Sequence, residues 1–468
     1  MVSYLPKYVS TRAIGLYVLT LVVVSLVFGY PLMWYWWLFG IVEVCGFFFF
    51  SNAMSKQWRN SSTKYVERQV FSTSFIIRAV YVIFSFFFFK GMTGEPFEFE
   101  AGDSLWYDSM ARLGSDIIWG ADIKWKVFFD GVDLSDIGYP LYLTVIYALT
   151  GKSILIARLI KALLSAYTVV LLFRLAHRNF GEGVAKMTAV FCMLMPNLIY
   201  YCGMHLKETE MLFLAVLFIE RADALFRSRK IRAKNIILLI AIGASTYFFR
   251  AVLCAVLFLT IAAAIVFSSK KIKKGLRVTL EIILGLMLLG VMMWSSNPLA
   301  MQDYEYSNAL ESQDNNMAWR AERENGNAFA SSASSAVFAP LIFTIPFPTL
   351  VEVPFQENQK MLNGGNFVKN ITSFFTVLAL FLLLFSGQWK DNILIVAFTC
   401  GYLAVLVFSV YAQSERFHIP SLPFELMLAA YGISKLNGKY IKWYNLWLVF
   451  IFAANIGWAW YKLRGRGM

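Results

Sequence analysis

Long apolar segments recur along the whole chain and are separated by shorter polar connections. A helix that crosses a bilayer needs about 20 apolar residues, because each residue rises 1.5 Å. By this measure the pattern predicts an all-α polytopic membrane protein with about thirteen transmembrane helices. The predicted spans are residues 14–30, 33–50, 71–89, 154–173, 184–201, 211–226, 236–249, 252–267, 276–294, 367–385, 393–411, 422–434 and 446–460.

Two stretches are too polar to lie in a bilayer, residues 91–138 and residues 297–366. The first holds ten Asp/Glu against three Lys/Arg, and the second holds eight against three. Within the second, residues 336–355 are apolar but contain four prolines, which a continuous helix does not tolerate. We therefore expect two external loops that carry short interfacial helices, with residues 336–355 as an interfacial or re-entrant segment.

The composition excludes an ordinary soluble protein. Of the 468 residues 59% are hydrophobic and 15% are charged, whereas soluble domains carry about 25% charged residues. The formal net charge of +13 would suggest nucleic acid in a soluble chain. Here the two loops take 18 of the 29 acids, which leaves 42 − 6 = 36 bases and 29 − 18 = 11 acids elsewhere. The charge is divided between two sides of a membrane, and no nucleic-acid partner is expected.

Short basic connections orient the predicted spans. Residues 227–234, 268–277 and 434–442 are rich in Lys and Arg and fall on one side, which the positive-inside rule makes cytoplasmic. Both long loops then lie outside, as expected for a multi-pass protein of a plasma (bacterial inner) membrane with its active site on the extracytoplasmic face. The basic residues 462–466 also fall outside, against the rule.

The chain divides into four parts under this threading. Residues 1–70 form two additional N-terminal spans, and residues 71–296 form a core with the first external loop. Residues 297–366 are the second external loop, and residues 367–468 are C-terminal spans. The five cysteines are too few and too scattered for a disulfide framework or a structural zinc site.

The first loop supplies candidate chemistry in the sequence EPFEFEAGDS, which contains four acids and ends near Asp103. A carboxylate beside a membrane-embedded cavity suits general-base catalysis, because partial desolvation raises a carboxyl pKa toward the working pH. The alternative is that these acids form a solvated external face, and composition alone leaves both open.

The order of motifs around Asp103 resembles the GT-C glycosyltransferases that use lipid carriers, the branch with protein O-mannosyltransferases and lipid A aminoarabinose transferases. In that family the first large external loop carries an Asp, usually followed by Glu, with Tyr four and Ala eight positions later. Asp103, Tyr107 and Ala111 match, whereas Ser104 replaces the Glu. Later matching features are a Gly/Tyr-Pro turn at residues 138–140, Arg158, Pro196 and SERFHIPSLPFELMLAAYGI at residues 414–433. The resemblance covers about residues 70–270 and this C-terminal piece.

The resemblance implies a GT-C fold and an inverting transfer of a sugar from a polyprenyl-phosphate carrier to an acceptor hydroxyl. Asp103 would take the proton of the acceptor, an assistance that contributes about 10²–10⁴ in rate. Glu208 falls where the family places a second acid, and Tyr107 and Tyr139 would position the substrates. The sugar is not specified, and the acceptor is a lipid, a glycan or a protein.

A leaving polyprenyl phosphate is an anion, so the site needs fixed cations near the external leaflet. The candidates for binding this phosphate are Lys207, Arg250, Arg416, His418 and Arg158. His205 is a further candidate for positioning a substrate. Each also has a structural alternative, such as snorkelling to the interface, anchoring a helix end or packing against acids. Arg78 is conspicuous within a predicted span, but its role is not predicted.

Metal use stays undecided. His205 and His418 do not make a metal site by themselves, so no metal ligands are predicted. Some GT-C enzymes use a divalent ion and others do not, and the replacement of the loop Glu by Ser104 leaves a divalent metal as an open alternative.

Other functional classes also fit a polytopic chain. An O-antigen-type polymerase or ligase would place its large loop late in the chain. A transporter or flippase of lipid-linked sugars would have paired broken helices and polar groups at mid-membrane depth. A non-catalytic scaffold is a third alternative. The acid-rich loop after the third span favours the glycosyltransferase.

Overall fold

The computed structural model describes residues 3–130, 132–228, 232–268, 278, 317–318, 321–322, 327–332, 335–354, 356–409 and 411–468. It is 79% helical, and its described residues form no strand. The prediction of an all-α fold is confirmed.

The helices are labelled in chain order. The first part of the chain forms α1 (Lys7–Phe28), α2 (Trp34–Gln57), α3 (Thr63–Thr93), α4 (Gly102–Ile118), α5 (Trp125–Phe129), α6 (Gly138–Thr150), α7 (Ile154–Phe180), α8 (Glu182–Leu194), α9 (Pro196–Gly203), α10 (Glu208–Arg227), α11 (Ala233–Tyr247) and α12 (Ala251–Phe267). The second part forms α13 (Ser335–Leu341), α14 (Glu357–Lys360), α15 (Asn363–Phe385), α16 (Ile393–Val407), α17 (Glu415–His418), α18 (Leu422–Ser434) and α19 (Gly438–Arg464).

Among the described helices, six are long and apolar enough to cross a membrane, namely α1, α2, α3, α7, α15 and α19. A seventh span results if α8 and α9, which meet at 45°, count as one. The chain is thus a membrane protein of several spans, but the predicted count of about thirteen is not confirmed. The helices α11, α12, α16 and α18 are apolar and short, and predicted span 276–294 lies outside the described residues apart from residue 278.

The bend between α8 and α9 explains the buried Arg78. Pro196 begins α9 and has no N–H, so it cannot bond the carbonyl of Cys192 one turn earlier. The guanidinium of Arg78 on α3 donates to that carbonyl at 3.1 Å and to the carbonyl of Met193 at 3.3 Å. Its Nε also donates to Ser165 Oγ at 2.7 Å. Arg78 therefore satisfies the backbone groups that the broken helix leaves free.

The predicted interfacial segment is packed inside the protein. After α13, residues 344–351 are buried without forming a helix. Side chains of α15 satisfy their carbonyl groups: Asn370 donates to Thr344 O and Pro346 O, and Lys369 Nζ donates to Ile345 O at 2.7 Å. Irregular backbone is tolerated at this depth because it is enclosed by protein.

The two N-terminal helices pack on the core. Glu43 of α2 accepts the N–H of Gly365, in the first turn of α15, at 3.0 Å. The carbonyl of Tyr30, in the turn between α1 and α2, accepts the N–H of Glu352 at 3.0 Å. These contacts attach α1 and α2 to α15 and to the irregular segment before it.

The helix bundle has two chemically different ends. At the first, the loop end, residues 94–137 meet the starts of α6 and α10 and the segments around Gln356 and Arg416. At the second, the basic end, Arg178 pairs with Glu220 and Asp223, each at 2.8 Å. The cationic tail of α19 lies at the loop end, where Lys462 Nζ donates to Gln356 Oε1 at 3.1 Å. The threading that placed residues 462–466 beside the acidic loops is thus consistent with the structure.

Helices α15 and α18 approach each other closely in the core. A Cβ added to Gly432 would lie 2.2 Å from the carbonyl oxygen of Phe375, so only glycine allows this approach. A Cβ added to Gly457 on α19, in contrast, would have no atom within 4 Å.

We predict that Gly432→Ala lowers the thermal unfolding midpoint of the detergent-solubilised protein. Forcing one methyl into this contact costs about 1–3 kcal/mol, whereas alanine in an open helical position is neutral or stabilising. Gly457→Ala is the matched control. Equal midpoints for the two variants would contradict the close packing of α15 on α18.

Candidate active site

A polar cavity of about 340 Å³ lies at the loop end, and we call it the Asp103 cavity. Asp103 enters it from the first turn of α4, with 59% of its side chain exposed. The other walls come from α9, α14 and α17 and from the turns beside them. The lining residues are Glu98, Glu100, Gly102, Asp103, Tyr200, Tyr201, Met204, Leu206, Gln356, Asn358, Gln359, Ser414, Glu415 and Arg416.

Arg416 connects two acids across this cavity. Its Nη1 donates to Asp103 Oδ2 and its Nε donates to Glu208 Oε1. Glu208 is the first residue of α10 and is fully buried, so its carboxylate depends on paired cations. The guanidinium thereby brings the starts of α4 and α10 to α17.

Arg250 is the second cation beside Glu208. Its Nη2 lies 3.9 Å from Glu208 Oε1, and its guanidinium lies over the ring of Phe417, 4.3 Å from the centroid. It is the N-cap of α12, in the turn that joins the short apolar helices α11 and α12. This turn carries Arg250 to Glu208.

A second ion pair lies next to this network. Lys207 Nζ donates to Asp136, whose carboxylate also accepts the Tyr107 hydroxyl at 3.2 Å. Burial lowers the pKa of Lys207, and the Asp136 carboxylate opposes that shift. Burial and Asp136 raise the pKa of Tyr107, so its hydroxyl stays a neutral donor. Tyr107 also packs edge-on against the ring of Tyr139, with centroids 4.9 Å apart.

His205 belongs to a buried aromatic cluster behind the cavity. Its Nε2 lies 3.2 Å from the Tyr147 hydroxyl, which itself donates to Asp108, so His205 is the donor in this pair. Burial, with the charges of Arg158, Lys161 and Arg112, holds the pKa of His205 well below its usual value. The ring is therefore neutral and holds the loop before α10.

Arg158 is also within this cluster and does not line the Asp103 cavity. It is fully buried, lies 5.7 Å from the Phe97 ring centroid, and makes no side-chain hydrogen bond to the described residues. Nearby, Lys161 Nζ donates to the Tyr139 hydroxyl at 2.9 Å and to the carbonyls of Met204 and Leu206. Lys161 thus holds the turn that leads to Glu208.

His418 stabilises the segment that carries Arg416. Its Nε2 donates to the Ala412 carbonyl at 2.8 Å, and its Nδ1 accepts from Lys369 Nζ at 2.7 Å. Burial and the charge of Lys369 hold the pKa of His418 well below its usual value. The neutral imidazole faces α15 and away from the Asp103 cavity.

Ser104, where the family pattern has Glu, donates its hydroxyl to Glu98 Oε1. Glu98 also lines the Asp103 cavity. A carboxylate thus lies beside position 104, but it comes from the segment before α4.

An apolar groove of about 890 Å³ adjoins the cavity. It runs between α2, α3 and α9 and is lined by Leu38, Phe39, Val42, Glu43, Gly46, Phe47, Phe50, Met54, Thr73, Ile77, Tyr81, Phe84, Phe88, Leu194, Pro196, Ile199, Tyr200 and Met361. Tyr200 forms part of both walls, so the groove and the Asp103 cavity meet at this side chain.

The described residues contain no group of three or more His, Cys, Asp or Glu side chains arranged to hold a metal ion. His205 and His418 are each engaged in separate hydrogen bonds and do not face one another. Their surroundings do not fit a shared divalent ion.

The structure brings four predicted residues into one network, Asp103, Glu208, Arg250 and Arg416, and places Lys207 and Tyr107 beside it. Four other predicted residues lie behind the walls of the cavity and support them, namely Arg158, His205, Tyr139 and His418. Sequence reasoning missed Glu415, Asn358 and Gln359. Of these three, only Glu415 could have been predicted from the sequence, because it directly precedes Arg416, which was a candidate for binding phosphate.

No protein-family model, curated protein or solved structure matches the chain. A functional assignment therefore depends on the geometry of the Asp103 cavity and its surroundings.

We predict that Lys161→Met loosens the turn at residues 203–208. Two carbonyls and one hydroxyl lose a buried donor, and each unsatisfied group costs about 1–3 kcal/mol. Hydrogen exchange measured by mass spectrometry should increase in this turn. Lys152→Met is the control, because Lys152 is partly exposed and pairs with Asp116 at 2.5 Å. The same exchange in both variants would contradict the role of Lys161.

Proposed function

We propose that the chain is an inverting GT-C type glycosyltransferase that moves a sugar from a polyprenyl-phosphate carrier to an acceptor hydroxyl. The observation that carries this proposal is the junction at Tyr200. A polar cavity with an accessible carboxylate and paired cations meets an apolar groove there. A lipid-linked phosphosugar needs both environments, one for its tail and one for its charged head.

In the proposed reaction the acceptor oxygen attacks the anomeric carbon, and Asp103 takes the proton of the acceptor. A new C–O bond forms as the bond between the anomeric carbon and the phosphate oxygen breaks. The electron pair of that bond leaves with the polyprenyl phosphate. General-base assistance of this kind is worth about 10²–10⁴ in rate.

The cations beside Glu208 suit the departing phosphate. Arg416 is shared between Asp103 and Glu208, and Arg250 lies 3.9 Å from Glu208, so both guanidinium groups are held in place before a substrate arrives. Fixed donors of this kind stabilise charge that develops in the transition state. A donor phosphate that engages Arg416 would release Asp103 to act on the acceptor.

The membrane topology is part of the same proposal. The basic connections 227–234 and 434–442 would face the cytoplasm, and the loop end would face outward. The carrier would then present its sugar on the extracytoplasmic side.

We predict that Asp103→Asn reduces glycosyl transfer by at least about 10², because the amide cannot accept the proton. The assay incubates the purified protein in lipid nanodiscs with a panel of polyprenyl-phosphate sugars and membrane-extracted acceptors, and measures donor consumption by mass spectrometry. The same panel shows which sugar is used.

Asp116→Asn is the matched control for Asp103. Asp116 lies on the same helix, α4, and pairs with Lys152 away from the cavity. It should retain wild-type activity. Near-wild-type transfer by Asp103→Asn would refute the proposed function.

We predict that Arg250→Ala raises the KM for the polyprenyl-phosphate donor about tenfold or more, with a smaller effect on kcat. The loss of one charged hydrogen bond is worth about 1.5–3 kcal/mol. Arg221→Ala is the control, because Arg221 pairs with Glu220 at the basic end. An unchanged KM for the donor would remove Arg250 from the site.

A further inference from the structure

A second polar cavity, of about 470 Å³, continues from the Asp103 cavity, and we call it the amide chamber. The two share the wall residues Glu100, Gln356, Gln359, Ser414 and Glu415. The two cavities therefore lie side by side, separated by this shared wall. Each volume is within the range of about 300–1,000 Å³ that is usual for small-molecule sites.

The amides in the chamber fall into two groups. Three of them have protein partners: Gln356 accepts from Lys462 Nζ, Asn327 donates to the Tyr461 carbonyl, and Asn366 accepts from Asn197. Gln359 and Gln413, in contrast, make no side-chain hydrogen bond to any described residue. Each of these two amides keeps a carbonyl acceptor and an NH₂ donor for a ligand.

Aromatic rings form another wall of the chamber. The rings of Trp458 and Tyr461 on α19 stack with centroids 5.0 Å apart and an angle of 11°. Phe347 packs against Trp458 from the irregular segment. Tyr461 stacks on Trp458, and Lys462 Nζ lies 5.0 Å from the Trp458 ring centroid, so this wall contributes apolar side-chain surface beside donor and acceptor groups. Such a mixture suits a sugar ring, which has C–H groups and a rim of hydroxyl groups.

Glu415 lies where the two cavities meet. It lines both, and no described cation pairs with its carboxylate within 4.0 Å. Burial raises the pKa of this carboxyl, and the charge of Lys462 only partly offsets that effect. A carboxyl group here accepts hydrogen bonds from ligand hydroxyl groups on either side.

We propose that the amide chamber binds the acceptor, and that this acceptor is a glycan whose terminal sugar reaches Asp103 past Glu415. This inference rests on the proposed function, because only a transferase has an acceptor. The hydroxyl of the terminal sugar would lose its proton to Asp103 as it forms the new glycosidic bond. Gln359 and Gln413 would bind the preceding units of the glycan.

The chamber is less suited to the other acceptor classes. An acyl chain requires walls that are apolar throughout, as in the groove beside α2 and α3, whereas the chamber combines its aromatic side chains with amides and charged groups. The described residues form no strand, so they have no sheet edge to which an extended peptide could add. Side-chain amides beside aromatic side chains favour the hydroxyl-rich ligand.

The test measures binding without a donor. Short oligosaccharides of hexoses and N-acetylhexosamines, Ser/Thr peptides and single-chain phospholipids are each titrated into the purified full-length protein, and affinity is determined by thermal shift. We expect at least one oligosaccharide to bind. Gln359→Met and Gln413→Met should each weaken it about five- to tenfold, the value of one hydrogen bond.

The controls separate this inference from the proposed reaction. Gln57→Met, whose side chain is exposed at the basic end, should bind as the wild type does. Binding without any transfer from polyprenyl-phosphate sugars would refute the proposed function and leave the glycan site in place. Binding by peptides or phospholipids alone, binding by no oligosaccharide, or oligosaccharide binding unaffected by both glutamine variants would overturn the inference.

Discussion

The guanidinium of Arg416 holds the site together, because it neutralises a carboxylate that has no access to water. Glu208 is fully buried, and an unpaired charge there would be strongly destabilising. Arg416 meets this need while also reaching Asp103, at a separation of 313 residues along the chain. Three helix starts therefore converge on one cation, and the cavity exists where they meet. Lys161 and His418 stabilise this arrangement. Lys161 holds the turn that leads to Glu208, and His418 holds the segment that carries Arg416.

The groups around this cation show which parts of the chain can form a polar site between membrane helices. Its charged members come from helix ends and turns, where backbone groups are free and the chain can change direction. The apolar groove needs only side chains that face away from the bundle axis. The amide chamber uses an irregular segment whose carbonyls are satisfied by α15. Each environment thus comes from a different kind of backbone, and Tyr200 and Glu415 mark the two boundaries between them.

Sequence reasoning predicted the all-α membrane fold and the charged members of the site, because charge within apolar surroundings is costly and conspicuous. Arg250 and Arg416 were selected in this way, whereas Asp103 and Glu208 were selected through the resemblance of their motifs, and all four meet in the structure. The count of spans was less accessible, since the short helices α11, α12, α16 and α18 are as apolar as the longer spans and differ from them only in length. Gln359 and Gln413 gave no signal, because an uncharged amide is common on any surface. Only tertiary contacts show which amides are left without a partner.

The contact between Glu43 and the first turn of α15 makes the N-terminal helices part of the functional unit. Helix α2 supplies one side of the apolar groove, and its carboxylate occupies the backbone amide of Gly365. A chain truncated before Thr63 would lose that side of the groove and the carboxylate that accepts the Gly365 N–H. The first two helices are consequently not a detachable anchor that could be exchanged between proteins. The apolar groove is therefore complete only when α2 is packed against the core.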